Sequence, residues 1–138
     1  MTSLSTLNNL ITEFYDKMSS WELSVVRDTE YSLAQIHTLE VLGSFGAMRM
    51  KELAGRLSIT TGTLTVQIEK LVNAGLVERQ TLEGDRRSIV VNLTATGQTV
   101  FEQHNALHLN LTRELTQHLS DAERTQLAIA LEMINREF

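Results

Sequence analysis

Cysteine is absent from the 138 residues, and its absence excludes disulfides, thiolate metal ligands and any switch that works by thiol oxidation. Proline is absent too, and the long segments repeat at helical period, so a mainly helical chain with one short strand region is expected. No run of eighteen apolar residues occurs, which argues against a membrane span and a membrane partner. The opening MTSLSTLNNLITEF lacks the basic start and small-residue cleavage site of a secretory signal. The expectation is a cytoplasmic protein of one domain, residues 1–138, long enough to bury an apolar core.

What is present is periodicity. Leu4, Leu7, Leu10, Phe14, Met18, Trp21 and Val25 recur at three- and four-residue steps and predict an amphipathic helix over 4–27. Leu33, Ile36, Leu39 and Leu42 begin a second helix that ends near Gly43 or Gly46. A short third carries Leu53, Ala54 and Leu57. Thr60 is placed to cap a fourth by accepting the backbone N–H of Thr63, and Gly75 can end it in a left-handed cap. Two extended runs follow, 76–82 and 88–93, joined by Glu83, Gly84, Asp85, Arg86 and Arg87 as a hairpin loop. Thr94 begins a long helix to about His118, and Ser120 with Glu123 forms a capping box for a last helix, Asp121 to Glu137.

Helix, tight turn, helix is the arrangement that lays its second helix in the major groove of duplex DNA. With Leu64, Ile68 and Leu71 turned inward, the outward arc holds Gly62, Thr63, Val66, Glu69 and Lys70, flanked by Thr61, Thr65 and Gln67. Gln67 suits a base edge, threonine a phosphate or a thymine methyl, and the helix start at Thr61 to Thr63 offers amides to phosphate. The net charge of −5 argues against nucleic acid only until it is read by segment. Residues 47–90 hold seven basic and five acidic groups, against five basic and twelve acidic elsewhere. Phosphate attraction acts within roughly 8 Å at physiological salt, so a mildly basic middle in an acidic frame is compatible with DNA.

The hairpin adds Asp85, Arg86 and Arg87 at its tip, where arginine suits the narrow minor groove beside the helix site. Here the chain resembles the MarR (multiple antibiotic resistance regulator) family in the wing GDRRSIVVNLTATG, residues 84–97, and in LVNAGLVER, residues 71–79. The resemblance implies a mainly α fold with a small β-hairpin wing: a winged helix-turn-helix lobe over about 33–93 and dimerisation helices over about 4–27 and 95–138. It implies that Arg87 enters the minor groove, that Asp85 holds Arg87 by a salt bridge, and that Arg86 lies nearer the phosphates. The DNA-contacting set is then Thr61, Thr63, Thr65, Val66, Gln67, Lys70, Asp85, Arg86 and Arg87. Many relatives carry arginine in the middle of the recognition helix, where Val66 and Gln67 stand here, so no relative's operator can be copied. The implied activity is that of a DNA-binding transcriptional regulator, a repressor acting as a homodimer on palindromic double-stranded DNA. The apolar stripes of the first, fifth and last helices exceed what one small lobe can cover, which agrees with a dimer. Two-fold symmetry would set the recognition helices about 34 Å apart, or a multiple of it.

Two effector readings stand side by side. His104 and His108 lie four apart on the fifth helix, hence on one face, and His37 stands on the second helix. The pattern is similar to the zinc-responsive branch of the family, which implies zinc on Glu22, His37, His104 and His108. The plainer alternative is imidazoles satisfied by backbone or carboxylate groups at a dimer interface. The second reading is an aromatic or phenolic carboxylate held by Phe14, Tyr15, Met18, Trp21 and Arg27, with apolar walls and one cation. An enzyme is not expected, because the His104/His108 pair lacks the glutamate of a zinc hydrolase motif and no glycine-rich phosphate loop occurs. A winged-helix module that binds only protein is the rival to DNA binding.

Overall fold

The computed structural model describes the backbone of residues 1–82 and 85–138, and side chains at these positions except 82 and 85–88. Among the described residues the order is α1 (Leu4–Arg27), α2 (Leu33–Phe45), β1 (Met48–Arg49), α3 (Met50–Leu57), α4 (Thr61–Asn73), β2 (Val77–Leu82), β3 (Asp85–Leu93), α5 (Ala95–Leu115) and α6 (Asp121–Asn135). The fold is mainly helical with a small antiparallel sheet, as the periodicities predict. The chain divides into two units, Met1–Phe101 and Glu102–Phe138.

In the first unit, local chemistry sets the helix starts. Ser3 accepts the amide of Thr6 to open α1, and Ser32 with Gln35 forms a complete capping box for α2. Gly46, at φ +84, ends α2 in a conformation that a side chain would strain. Leu39, Leu42, Leu53, Leu64, Ile68, Leu71, Leu76 and Val91 are almost fully buried and form the centre of the core. Thr38 is buried among them without penalty, because its hydroxyl donates to the Ala34 carbonyl at 2.9 Å.

The sheet runs β1-β3-β2, all antiparallel. β1 is a strand that the sequence pattern missed; two residues are too few for alternation to register, and it exists because Met48 and Arg49 pair with Val91 and Val90. β3 also begins earlier than expected. The sequence pattern predicts the hairpin connection over 83–87, whereas the backbone from Asp85 belongs to the strand, with Asp85 opposite Leu82 after a register shift between Thr81 and Leu82. A local irregularity of this kind lengthens the ladder without leaving a periodic signature.

Thr94 joins the sheet to α5. Its hydroxyl donates to the Gly75 carbonyl at 2.6 Å and accepts the Gly97 amide at 3.0 Å, so one side chain ties the end of the recognition segment to the start of the long helix.

In the second unit, α5 ends at Leu115 instead of His118. The chain turns there because Leu119 donates its amide to the Thr116 carbonyl, and the Arg124 guanidinium donates to the same oxygen at 3.1 and 3.2 Å. A cation on an end carbonyl satisfies groups that another helical turn would otherwise have used. Ser120 and Glu123 form the expected capping box for α6, which ends two residues before Glu137. No residue of α6 is buried, and Leu127, Ile129, Leu131, Met133 and Ile134 are exposed.

Candidate nucleic-acid interface

The tight turn between α3 and α4 is made by Ser58 in the left-handed region at φ 56, with the Ile59 amide donating to the Ala54 carbonyl at 3.1 Å. Thr60 then caps α4 by accepting the Thr63 amide at 3.1 Å. Leu64, Ile68 and Leu71 have no measurable exposure and fasten α4 to the lobe, at roughly 1.5–3 kcal/mol each for burying a side chain of this size. The opposite face is therefore fixed in orientation.

On that face Thr61, Gly62, Thr63, Thr65, Val66, Glu69 and Lys70 are exposed. Gln67 is half-buried and sits at the edge of the face. Several hydroxyls are already engaged: Thr65 donates to the Thr61 carbonyl at 2.8 Å, and Thr60 donates to the Thr63 hydroxyl at 3.0 Å. Such bonds hold the side chains in set rotamers. Around the helix, Lys51 and Arg79 are exposed, while Arg56 lies 4.0 Å over the Phe45 ring and 3.5 Å from Glu52. Arg56 is thus a packed cation, less available to phosphate than Lys51 or Lys70.

The backbone of Asp85, Arg86 and Arg87 lies in β3. Their side chains, and with them the expected Asp85–Arg87 salt bridge, fall outside the described residues.

The candidate effector residues separate into two groups. In the first unit a cavity of about 610 Å³ is lined by Tyr15, Glu22, Leu33, Ala34, His37 and Glu40. Carboxylate oxygens of Glu22 and Glu40 lie within 4.8 Å of each other. Glu40 went unnoticed in the sequence, although it follows His37 by three positions and so shares its helix face. Of the residues expected to hold an aromatic carboxylate, Tyr15 lines this cavity; Phe14, Met18, Trp21 and Arg27 do not, and Arg27 is exposed. Two carboxylates in the lining oppose an anionic ligand there. His37 is exposed at the cavity rim.

In the second unit His104 is buried, 5% exposed, and His108 is half-buried. Their Nε2 atoms are 3.1 Å apart and their rings meet edge to face at 4.8 Å between centroids. Two nitrogen ligands on one tetrahedral zinc, each at about 2.0–2.1 Å, would be about 3.3 Å apart, so the pair fits such an ion with little movement. Leu107 and Leu115, on the same helix, are exposed.

Comparison with known proteins decides the family. The MarR family model matches residues 31–89, the segment from the start of α2 into the wing. The crystal structure of the reduced form of MarR from Escherichia coli is 30% identical, with a TM-score of 0.63 and 97% of each chain covered. The chain belongs to the MarR family. Among MarR-type relatives, the HTH-type transcriptional regulator PecS of Dickeya dadantii is 29% identical over 97% of this chain and 78% of its own length. A mutant E. coli MarR, solved in complex with operator DNA, is 28% identical at a TM-score of 0.69, over 96% of this chain and 99% of its own. These relatives are transcriptional regulators and not enzymes, in line with the sequence expectation. No described helix is long and apolar enough to cross a membrane.

Proposed function

We propose that this MarR-family regulator binds palindromic double-stranded DNA as a homodimer, represses transcription, and changes its DNA affinity when an effector binds. The observation that carries the reading is the outward face of α4. It is pinned by three fully buried side chains, it presents small and polar groups, and it belongs to a fold also seen in a MarR crystallised with operator DNA. In this reading Thr61, Thr63, Thr65, Val66, Gln67 and Lys70 meet the major groove, and Asp85, Arg86 and Arg87 serve the minor groove and its phosphates.

A second copy of the chain is the partner that the exposed apolar residues call for. Leu4, Leu7, Leu10, Ile11 and Phe14 on α1, and Leu127, Leu131 and Ile134 on α6, are all at least 42% exposed. Helices this apolar in water need cover, and an isologous interface supplies it twice over. The division of labour follows: residues about 33–93 read DNA, and helices over about 4–27 and 95–138 join the subunits.

The test is duplex DNA selected from a random pool by the full-length protein, with affinity measured against salt. Binding should fall linearly on a log-log plot, and light scattering should give a dimer. A protein that selects no duplex even at low salt would instead be a protein-binding winged helix.

A second reading concerns the effector and rests on the His104/His108 geometry: the ligand is zinc or a divalent ion of like preference, held in part by these two imidazoles. Glu22 and His37 complete the set in the zinc-responsive resemblance, and Glu40 is an additional carboxylate close to Glu22.

A further inference from the structure

We infer that Val66 reads the methyl group of a thymine in each half-site of the operator, an inference that rests on the DNA-binding reading above. At about 100° per residue, Val66 lies opposite the middle of the stripe formed by Leu64, Ile68 and Leu71, so it marks the centre of the outward face. Gly62 and the exposed Asn73 fall along the same line. Val66 is 54% exposed, an apolar β-branched side chain in water at the middle of a helix. Valine is a poorer helix former than alanine and gains little from packing at such exposure, so the stability of the free chain gives no reason for it.

The neighbours do not take the central position. Gln67 is half-buried at the edge, the Thr65 hydroxyl donates to the Thr61 carbonyl, and the Thr60 hydroxyl donates to that of Thr63. Gly62, one turn before Val66, has open space around it: a Cβ built there would meet only the Thr60 hydroxyl oxygen, at 3.9 Å. The helix backbone can therefore come near the groove floor, which a short side chain such as valine needs in order to touch a base. Base edges in the major groove offer one apolar group, the C5 methyl of thymine. An isopropyl group held at the centre of the reading face is complementary to that methyl and to no hydrogen-bonding edge.

The test uses the duplex selected by the full-length protein, with each thymine replaced in turn by deoxyuridine, which keeps the pairing and lacks the methyl. One symmetry-related thymine pair should be sensitive, with affinity falling about three- to fivefold per half-site, the ratio expected for one buried methyl. Val66→Ala should bind the thymine duplex more weakly by a similar factor and no longer distinguish thymine from uracil at that pair. Its thermal unfolding should be no lower than that of the parent protein, since Val66 is 54% exposed and alanine is the better helix former. Equal affinity of the parent for every uracil-substituted duplex would overturn the inference while leaving DNA binding intact. Retention of the full thymine preference by Val66→Ala would overturn it as well, and failure to select any duplex would bring down both readings.

Discussion

Gly97, in the first turn of α5, packs directly against the backbone carbonyl of Leu76, so closely that a Cβ at this position would overlap the carbonyl oxygen. The same oxygen accepts the Thr94 amide at 3.1 Å, and Leu76 itself is buried in the core. Neither partner can yield easily. Gly97→Ala is therefore expected to destabilise the protein by about 1–3 kcal/mol, the usual cost of overpacking, despite the better helix propensity of alanine. Urea unfolding measures it; an unchanged midpoint would mean that the α4–β2 corner is free to shift.

The wing makes the second prediction. If Arg87 occupies the minor groove, as the family resemblance implies, Arg87→Ala should weaken binding to every selected duplex by a similar factor and lower the salt slope by about 1. Fluorescence anisotropy across a salt series reads both. A variant that loses affinity for one sequence alone would point to base reading by Arg87 in place of phosphate and groove contact.

Local chemistry was legible in the sequence and tertiary partnership was not. Thr60 as the α4 cap, the Ser120/Glu123 box and the inward set Leu64, Ile68 and Leu71 depend on neighbours within four positions, and each stands where spacing put it. β1 exists only by pairing with Val90 and Val91, and the early start of β3 depends on a register shift. The end of α5 depends on Arg124, eight positions beyond the carbonyl it meets. In the candidate effector region, the His104/His108 pair was legible because four-residue spacing shares a face. The nearness of Glu40 to Glu22 was not, since it requires α1 and α2 to be packed together.

Zinc offers a direct check on the imidazole pair. Isothermal titration of the metal-stripped protein should show binding that His104→Ala removes and His118→Ala, which alters an exposed histidine, leaves in place. If zinc is the effector, its addition should also change the affinity for the selected duplex. Titration without heat, and DNA affinity indifferent to zinc, would leave the two histidines as hydrogen-bonded neighbours and nothing more.

The start of α6 should depend on pH. Glu123 accepts the Ser120 amide at 2.9 Å while the Ser120 hydroxyl accepts the Glu123 amide at 3.1 Å. The backbone hydrogen bond from Ser120, then the one with its side chain, holds the Glu123 carboxyl below its ordinary value. A depressed folded-state value means that the ionised box stabilises the helix above the ordinary carboxylate range, and that this contribution fades as pH falls through the lowered value. Since α6 buries no residue of its own in this chain, its first turn leans on the cap more than a core helix would. Amide exchange at Ser120 should accelerate in acid beyond the intrinsic trend, and Glu123→Gln, which keeps an acceptor but no charge, should flatten that excess. Ser120→Ala should loosen the turn at every pH, at about 1 kcal/mol for a lost N-cap. Equal protection of the Ser120 amide in the parent and in Glu123→Gln at all pH values would show that the carboxylate charge contributes nothing to the cap.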